Sequence, residues 1–221
     1  MINRPLLLLA LISSACFGQR FEFGAKVGIP VTEAFETGSI FGINFGHSAT
    51  SATRRYTVGP TVGLRLPHGF GLTFDVLYKR LGVDELEKSG GILLYHTRTA
   101  ANSWEFPILG KFRVLRTRAV SPYVEAGMSF RSISGVATMR EGPLDLSLLR
   151  IPSVRTDGRS SQFLDNRSHH GISVGLGAEM RIGFMRLSPV FRYTRWGVDR
   201  DIESTLYSNQ NQAEVLLGIT F

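Results

Sequence analysis

The chain has 221 residues, 10% of them aromatic and 24 of them glycine, with a formal charge of +7. That length holds one domain with a full set of strands and little else, and a single cysteine excludes a disulfide framework. The arginines are scattered, with no cluster of basic and aromatic residues, so the surplus charge points to anionic lipid or internal pairing and not to nucleic acid.

Residues 1–18 have the layout of a secretory signal peptide: a basic start at Arg4, an apolar core over 6–12 and small residues over 13–18. The apolar core is too short for a transmembrane helix. Cleavage near Gly18 is expected. It removes Arg4, taking the charge from +7 to +6, and it removes Cys16. A lipoprotein processed at Cys16 is the weaker reading, because Ser13 stands where a lipobox has leucine. The exported domain is then 19–221.

Past the signal, the residues alternate. Successive side chains on a strand point to opposite faces, so a period of two with one apolar face marks a strand. Residues 21–29 set Phe21, Phe23, Ala25, Val27 and Ile29 against Glu22, Gly24, Lys26 and Gly28. A glycine-, serine- and threonine-rich stretch over 30–54 reads as a long loop. Strands over 56–66 and 70–80, joined at Pro67-His68-Gly69, form a hairpin with Arg65, Asp75 and Lys79 on the second face. A second long loop covers 81–102. A second hairpin pairs 104–114 with 120–130 around a turn at 116–118, placing Glu105, Lys111, Arg113 and Glu125 inward.

The longest loop is 132–169. Residues 170–182 then alternate without exception: His170, Ile172, Val174, Leu176, Ala178, Met180 and Ile182 on one face, Gly171, Ser173, Gly175, Gly177, Glu179 and Arg181 on the other. A turn near 183–186 leads to a strand from Leu187 with Arg192 inward. After a loop over 197–212 the last strand carries Glu214 inward and ends on Phe221.

These segments make about eight strands joined alternately by long and short links. The expected fold is all-β: a single antiparallel up-and-down transmembrane β-barrel with short periplasmic turns and long extracellular loops. Hydrocarbon offers no partner for backbone N–H and C=O groups, so a closed sheet is the way for strands to cross it. The bore of an eight-stranded barrel is just wide enough for side chains to fill. The inward charges Glu22, Lys26, Arg65, Asp75, Lys79, Glu105, Lys111, Arg113, Glu125, Glu179, Arg181, Arg192 and Glu214 mix both signs, and are expected to pair across a plugged interior. Trp104, Tyr56, Tyr78, Tyr193, Trp196 and Phe221 fall near strand ends, where amphipathic rings suit a membrane interface. Pro60, Pro107, Pro122 and Pro189 lie inside the proposed strands and are expected at bulges or rims.

The segments 104–114 (WEFPILGKFRV), 121–130 (SPYVEAGMSF), 171–182 (GISVGLGAEMRI), 187–197 (LSPVFRYTRWG) and the closing LLGITF carry a resemblance. Through them the chain is similar to the small outer-membrane protein β-barrel domain family, which includes PorT-type proteins and shares its plan with OmpA/OmpX-type domains. The resemblance implies location in the outer membrane, tolerance of prolines at sites like Pro107 and Pro122, and a C-terminal aromatic, Phe221, read by the barrel assembly machinery. It names no ligand or reaction.

Candidate chemistry is sparse. Adjacent residues of an extended chain face opposite ways, so His169-His170 make a poor pair of metal ligands, and no metal or other cofactor is expected. A loop hydrolase or acyltransferase drawing on His96, His169 or His170 with a serine and Asp157 or Asp165 has no spacing to support it. Gly175-Leu176-Gly177 lacks the third glycine and the helix of a dinucleotide site. Within the longest loop, Leu144, Leu146, Leu148, Leu149, Arg150 and Ile151 form an apolar run beside arginines; packing on neighbouring loops or extension of the barrel strands is the favoured reading, and a contact patch for an unknown protein partner or for outer-leaflet lipid, including lipopolysaccharide, is the functional one. The leading function is a structural or interaction barrel. A narrow transport or small-ligand barrel is the alternative, and a loop-borne enzyme is the distant one.

Overall fold

The computed structural model describes residues 20–35, 38–41, 45–89, 92–115, 117, 120–141, 155–158, 168–197 and 209–221. The strands are β1 (Arg20–Pro30), β2 (Gly38–Phe41), β3 (Phe45–Ser51), β4 (Thr57–Arg65), β5 (Phe70–Asp75), β6 (Leu77–Ser89), β7 (Ile92–Arg113), β8 (Val120–Glu141), β9 (Arg155–Gly158), β10 (Ser168–Ile182), β11 (Met185–Trp196) and β12 (Asn211–Thr220). β1 pairs antiparallel with β4 on one side and β12 on the other, which closes the sheet into an antiparallel barrel. Around the barrel the order is β1, β4, β5 continued by β6, β7, β8, β10, β11 and β12, which gives eight strands.

Val76 separates β5 from β6 because both neighbouring strands present a proline there. Val76 N–H donates to the Pro60 carbonyl at 3.0 Å, but Pro60 has no N–H to return. On the other side the ladder to β7 stops at Phe74–Ile108 and resumes at Leu77–Glu105, spanning Pro107. The β10–β11 ladder likewise skips from Gly177–Val190 to Met180–Leu187, across Pro189. Pro60, Pro107 and Pro189 therefore mark gaps in register-true ladders and not bulges, whereas Pro122 lies near the short-turn rim, its carbonyl accepting from Val114 N–H at 3.0 Å. The irregularities of register fall elsewhere, at Glu87/Lys88 and Ala100/Asn102.

The outward face is apolar along all eight strands. Phe21, Ile172 and Leu176 are each more than 60% exposed, an arrangement that is costly in water and suited to hydrocarbon. Aromatic rings gather at both ends of this band. Tyr56, Tyr78 and Trp104 pack in sequence at the long-loop end, their rings tilted to one another with centroids 6.3 and 5.1 Å apart, and the Tyr78 hydroxyl donates to Asn102. Phe70 packs on Phe112 at 4.9 Å and Phe184 on Phe221 at 6.0 Å at the short-turn end.

Three of the predicted long loops contain strand, and one of them is almost wholly strand. β6 runs on to Ser89 and β7 starts at Ile92, so 81–102 is a continued hairpin; β2 and β3 form a further hairpin that pairs onto β6. β8 extends to Glu141 and pairs with β9 inside the predicted 132–169 loop. At about 3.3 Å per residue a strand as long as β7 is roughly twice what a bilayer crossing takes, so β7 and β8 rise well beyond the membrane. The order β2-β3-β6-β7-β8-β9 makes a sheet that stands on one side of the extracellular mouth. Sequence alternation missed it because a strand in water need not carry an apolar face: β6 continues as Asp84, Glu85, Leu86, Glu87, Lys88. The patch over Leu144–Ile151 and Asp165 lie outside the described residues, as does the predicted signal peptide.

Candidate functional site

With apolar groups turned to lipid, the alternate positions point into the bore, where charged residues stand among glycines, serines and threonines. The charges fall into three layers. Nearest the long-loop end, Lys79 bridges Glu105 at 2.9 Å and Glu214 at 3.0 Å, while Arg131 bridges Glu105 at 2.7 Å and lies over the Trp196 ring at 3.9 Å. In the middle, Asp75 takes Lys26 at 2.7 Å, Arg192 at 2.9 Å and the Thr61 hydroxyl at 2.6 Å; Arg192 also reaches Glu125 at 2.9 Å. At the short-turn end Glu179 accepts from Lys111 at 3.0 Å, Arg113 at 2.8 Å and Arg65 at 3.2 Å, and Glu22 takes Arg65 and Arg186, each at 2.6 Å.

The barrel order shows what these pairs span. β11 and β5 stand four strands apart in either direction round the ring of eight, so Arg192–Asp75 crosses a full diameter. Arg65 on β4 and Glu179 on β10 are opposed in the same way. Inward glycines make the room: a Cβ at Gly175 would stand 2.8 Å from the Glu125 Cγ, and one at Gly177 would stand 2.5 Å from the Tyr123 ring. Asp75 and Arg192 are fully buried. Such charges are stable only when paired and hydrogen-bonded, which ties the strands to one another through their side chains as well as their backbones.

Arg181 is a correction to the expected inward set. It is exposed at the end of β10, its Nε donating to the Gly183 carbonyl at 3.3 Å, because the strand ends there and its inward position opens at the rim. Trp196 is a second correction: it is buried inside the barrel, its indole N–H donating to Gln212, and it is not part of a lipid-facing ring. Arg131 and Arg186 join the network although neither was singled out; Arg131 lies on the inward face of β8 by the same alternation.

The two ends of the bore differ. At the extracellular end residues 31–35 fold over the mouth, with Val31 N–H donating to the Ala213 carbonyl and Asn209 N–H to the Ala34 carbonyl. Phe35 then packs with Ala49, Leu81, Val83, Ala101 and Ile133 as a small apolar core between the mouth and the standing sheet. Beneath it remains a void of about 20 Å³ beside Lys79, Glu105 and Trp196. The periplasmic end is open, with a cavity of about 480 Å³ lined by Arg65, Thr117, Ser121, Glu179, Met180, Arg181 and Arg186.

The histidines do not converge. His169 and His170 pair with Arg131 and Phe130 at the barrel rim, whereas His96 pairs with Glu141 far out on the standing sheet. Asp157 pairs with Met139 on the outer part of β8. Among the described residues no group of three His, Cys, Asp or Glu side chains is placed to hold a metal ion.

Comparison with known proteins matches residues 13–198 to the model of a family described as outer membrane protein beta-barrel domain. No curated protein matches the chain in sequence. Among solved structures, the chain is similar to the outer membrane protein OprG of Pseudomonas aeruginosa (10% identity, 92% of this chain and 96% of that one, TM-score 0.47). It is also similar to Neisserial surface protein A (15% identity, 92% and 97%, TM-score 0.42). A third is Ail, the attachment invasion locus protein of Yersinia pestis, in complex with the heparin analogue sucrose octasulfate (10% identity, 91% and 97%, TM-score 0.40).

Proposed function

The chain belongs to the outer-membrane protein β-barrel domain family, and from that premise we propose that it is an anchor and interaction protein: a non-conducting barrel that holds a β-sheet platform at the cell surface. The observation that carries this reading is the bore itself, crossed by ion pairs between opposed strands, the middle one fully buried, and covered by Phe35 at the extracellular end. A path for solute would require those pairs to be broken against the full desolvation of each charge.

The surface for contact is then the sheet β2-β3-β6-β7-β8-β9, with outer-leaflet lipid, including lipopolysaccharide, at its foot and a protein partner above. Export through a signal cleaved near Gly18 and assembly through the terminal Phe221 belong to the same reading. It assigns no catalytic step. Planar bilayers test it: the refolded protein is expected to give no discrete conductance steps over a range of voltages, and reproducible steps of one size would replace it with the transport reading.

A further inference from the structure

The charge in the bore is unevenly distributed. In the middle layer Lys26 and Arg192 face Asp75 and Glu125, and in the extracellular layer Lys79 and Arg131 face Glu105 and Glu214, so each layer balances. The periplasmic layer does not: Arg65, Lys111, Arg113 and Arg186 have only Glu22 and Glu179 among the described residues, and Arg181 adds a further cation at the rim. The sequence repeats this imbalance on the rim itself. The stretches 63–74, 112–124 and 180–191, which include the three short turns, contain Arg65, Arg113, Arg116, Arg118, Arg181 and Arg186 and no Asp or Glu.

This surplus lines a cavity. The 480 Å³ opening is bordered by three guanidinium groups, Arg65, Arg181 and Arg186, with Thr117, Ser121 and Met180 and a single carboxylate, Glu179. Three guanidinium groups around one carboxylate leave a surplus of positive charge that matches a tetrahedral oxyanion, which accepts several forked bonds and offsets more than one charge. We infer that the periplasmic mouth binds a phosphate group, either free phosphate or the headgroup of a phospholipid in the inner leaflet.

The test uses the full exported chain, refolded in a detergent without phosphate, and titrated calorimetrically in two arms: inorganic phosphate, and a short-chain phosphatidylglycerol below its micelle concentration, with the matching diacylglycerol as the phosphate-free control. Saturable binding is expected in at least one arm, weakened about tenfold or more in R181Q/R186Q and unchanged in R98Q, whose charge lies on the extracellular sheet. Binding in the phosphate arm identifies a free anion as sufficient; binding of phosphatidylglycerol alone identifies a headgroup. No saturable binding in either arm, equal binding by the diacylglycerol, equal affinity in R181Q/R186Q, or equal loss in R98Q each overturns the site. Folding of every variant is checked by the mobility shift on boiling. If R181Q/R186Q does not fold, R181Q replaces it, with the same criterion of a loss that R98Q does not share.

Discussion

Substitution of Asp75 exposes the strength of the cross-braced bore. Asp75 is fully buried and accepts from Lys26, Arg192 and Thr61. In D75N two cations share the middle layer with Glu125 alone; in K26M Arg192 faces both carboxylates. Removing one partner of a buried ion pair costs about 3–5 kcal/mol, because the other charge is left desolvated. With a urea dependence of about 2 kcal/mol per molar, a loss of about 3 kcal/mol lowers the unfolding midpoint by about 1.5 M. The double variant K26M/D75N restores the balance as Arg192–Glu125, so its loss is expected to fall short of the sum of the singles by about 1–3 kcal/mol. Urea titration in lipid vesicles, followed by the mobility difference between folded and boiled protein, supplies all four corners of the cycle. Additivity within about 0.5 kcal/mol would refute the reasoning, since it would mean that Lys26 and Asp75 do not depend on each other.

Three further outcomes follow from the same structure. Gly177→Ala brings a methyl onto the Tyr123 ring and is expected to cost about 1–3 kcal/mol in the same urea assay, whereas an alanine at the exposed Gly183, where no neighbour is within reach, tests only the strain of its positive φ. Ile108→Arg places a charge on the lipid face midway between Trp104 and Phe112 on β7; refolding into vesicles should lose about 2–4 kcal/mol, and Tyr95→Arg, out on the standing sheet, should lose far less. Phe221→Ala is expected to leave refolding in vitro nearly intact while lowering the amount assembled in the outer membrane of cells, read by fractionation and immunoblot; equal loss in both settings would make Phe221 a packing residue through Phe184 and not a signal.

Alternation made the fold legible. Residues 170–182 sort into two faces without exception, and β10 carries those faces to lipid and to the bore until Arg181 emerges at the rim. The physical cause is that hydrocarbon demands one apolar face from every crossing strand, leaving the other free to carry charge. Where that demand stops, so does the signal: beyond Leu81 the strands continue in water with Asp84, Glu85 and Thr97 on them, and composition alone reads them as loop. Which charges face inward also follows from alternation, but which ones meet does not, because Arg192 and Asp75 are joined only by the closure of the barrel. Trp196 shows both sides of this: alternation from Arg192 places it inward although an aromatic at a strand end suggests an interfacial anchor, and only the closed barrel brings it beneath Arg131.

The assignment of apolar face to lipid and charged face to bore is tested most directly by the two tryptophans. Trp104 is 39% exposed on the outer surface and Trp196 is 4% exposed within it. Each can be observed alone, in W196F and W104F, with the protein refolded into vesicles of phospholipid brominated close to the headgroup, where bromine quenches rings it touches. The account predicts strong quenching of Trp104 and almost none of Trp196. Strong quenching of Trp196 with Trp104 spared would contradict it, because the charged face would then be the one that meets the membrane.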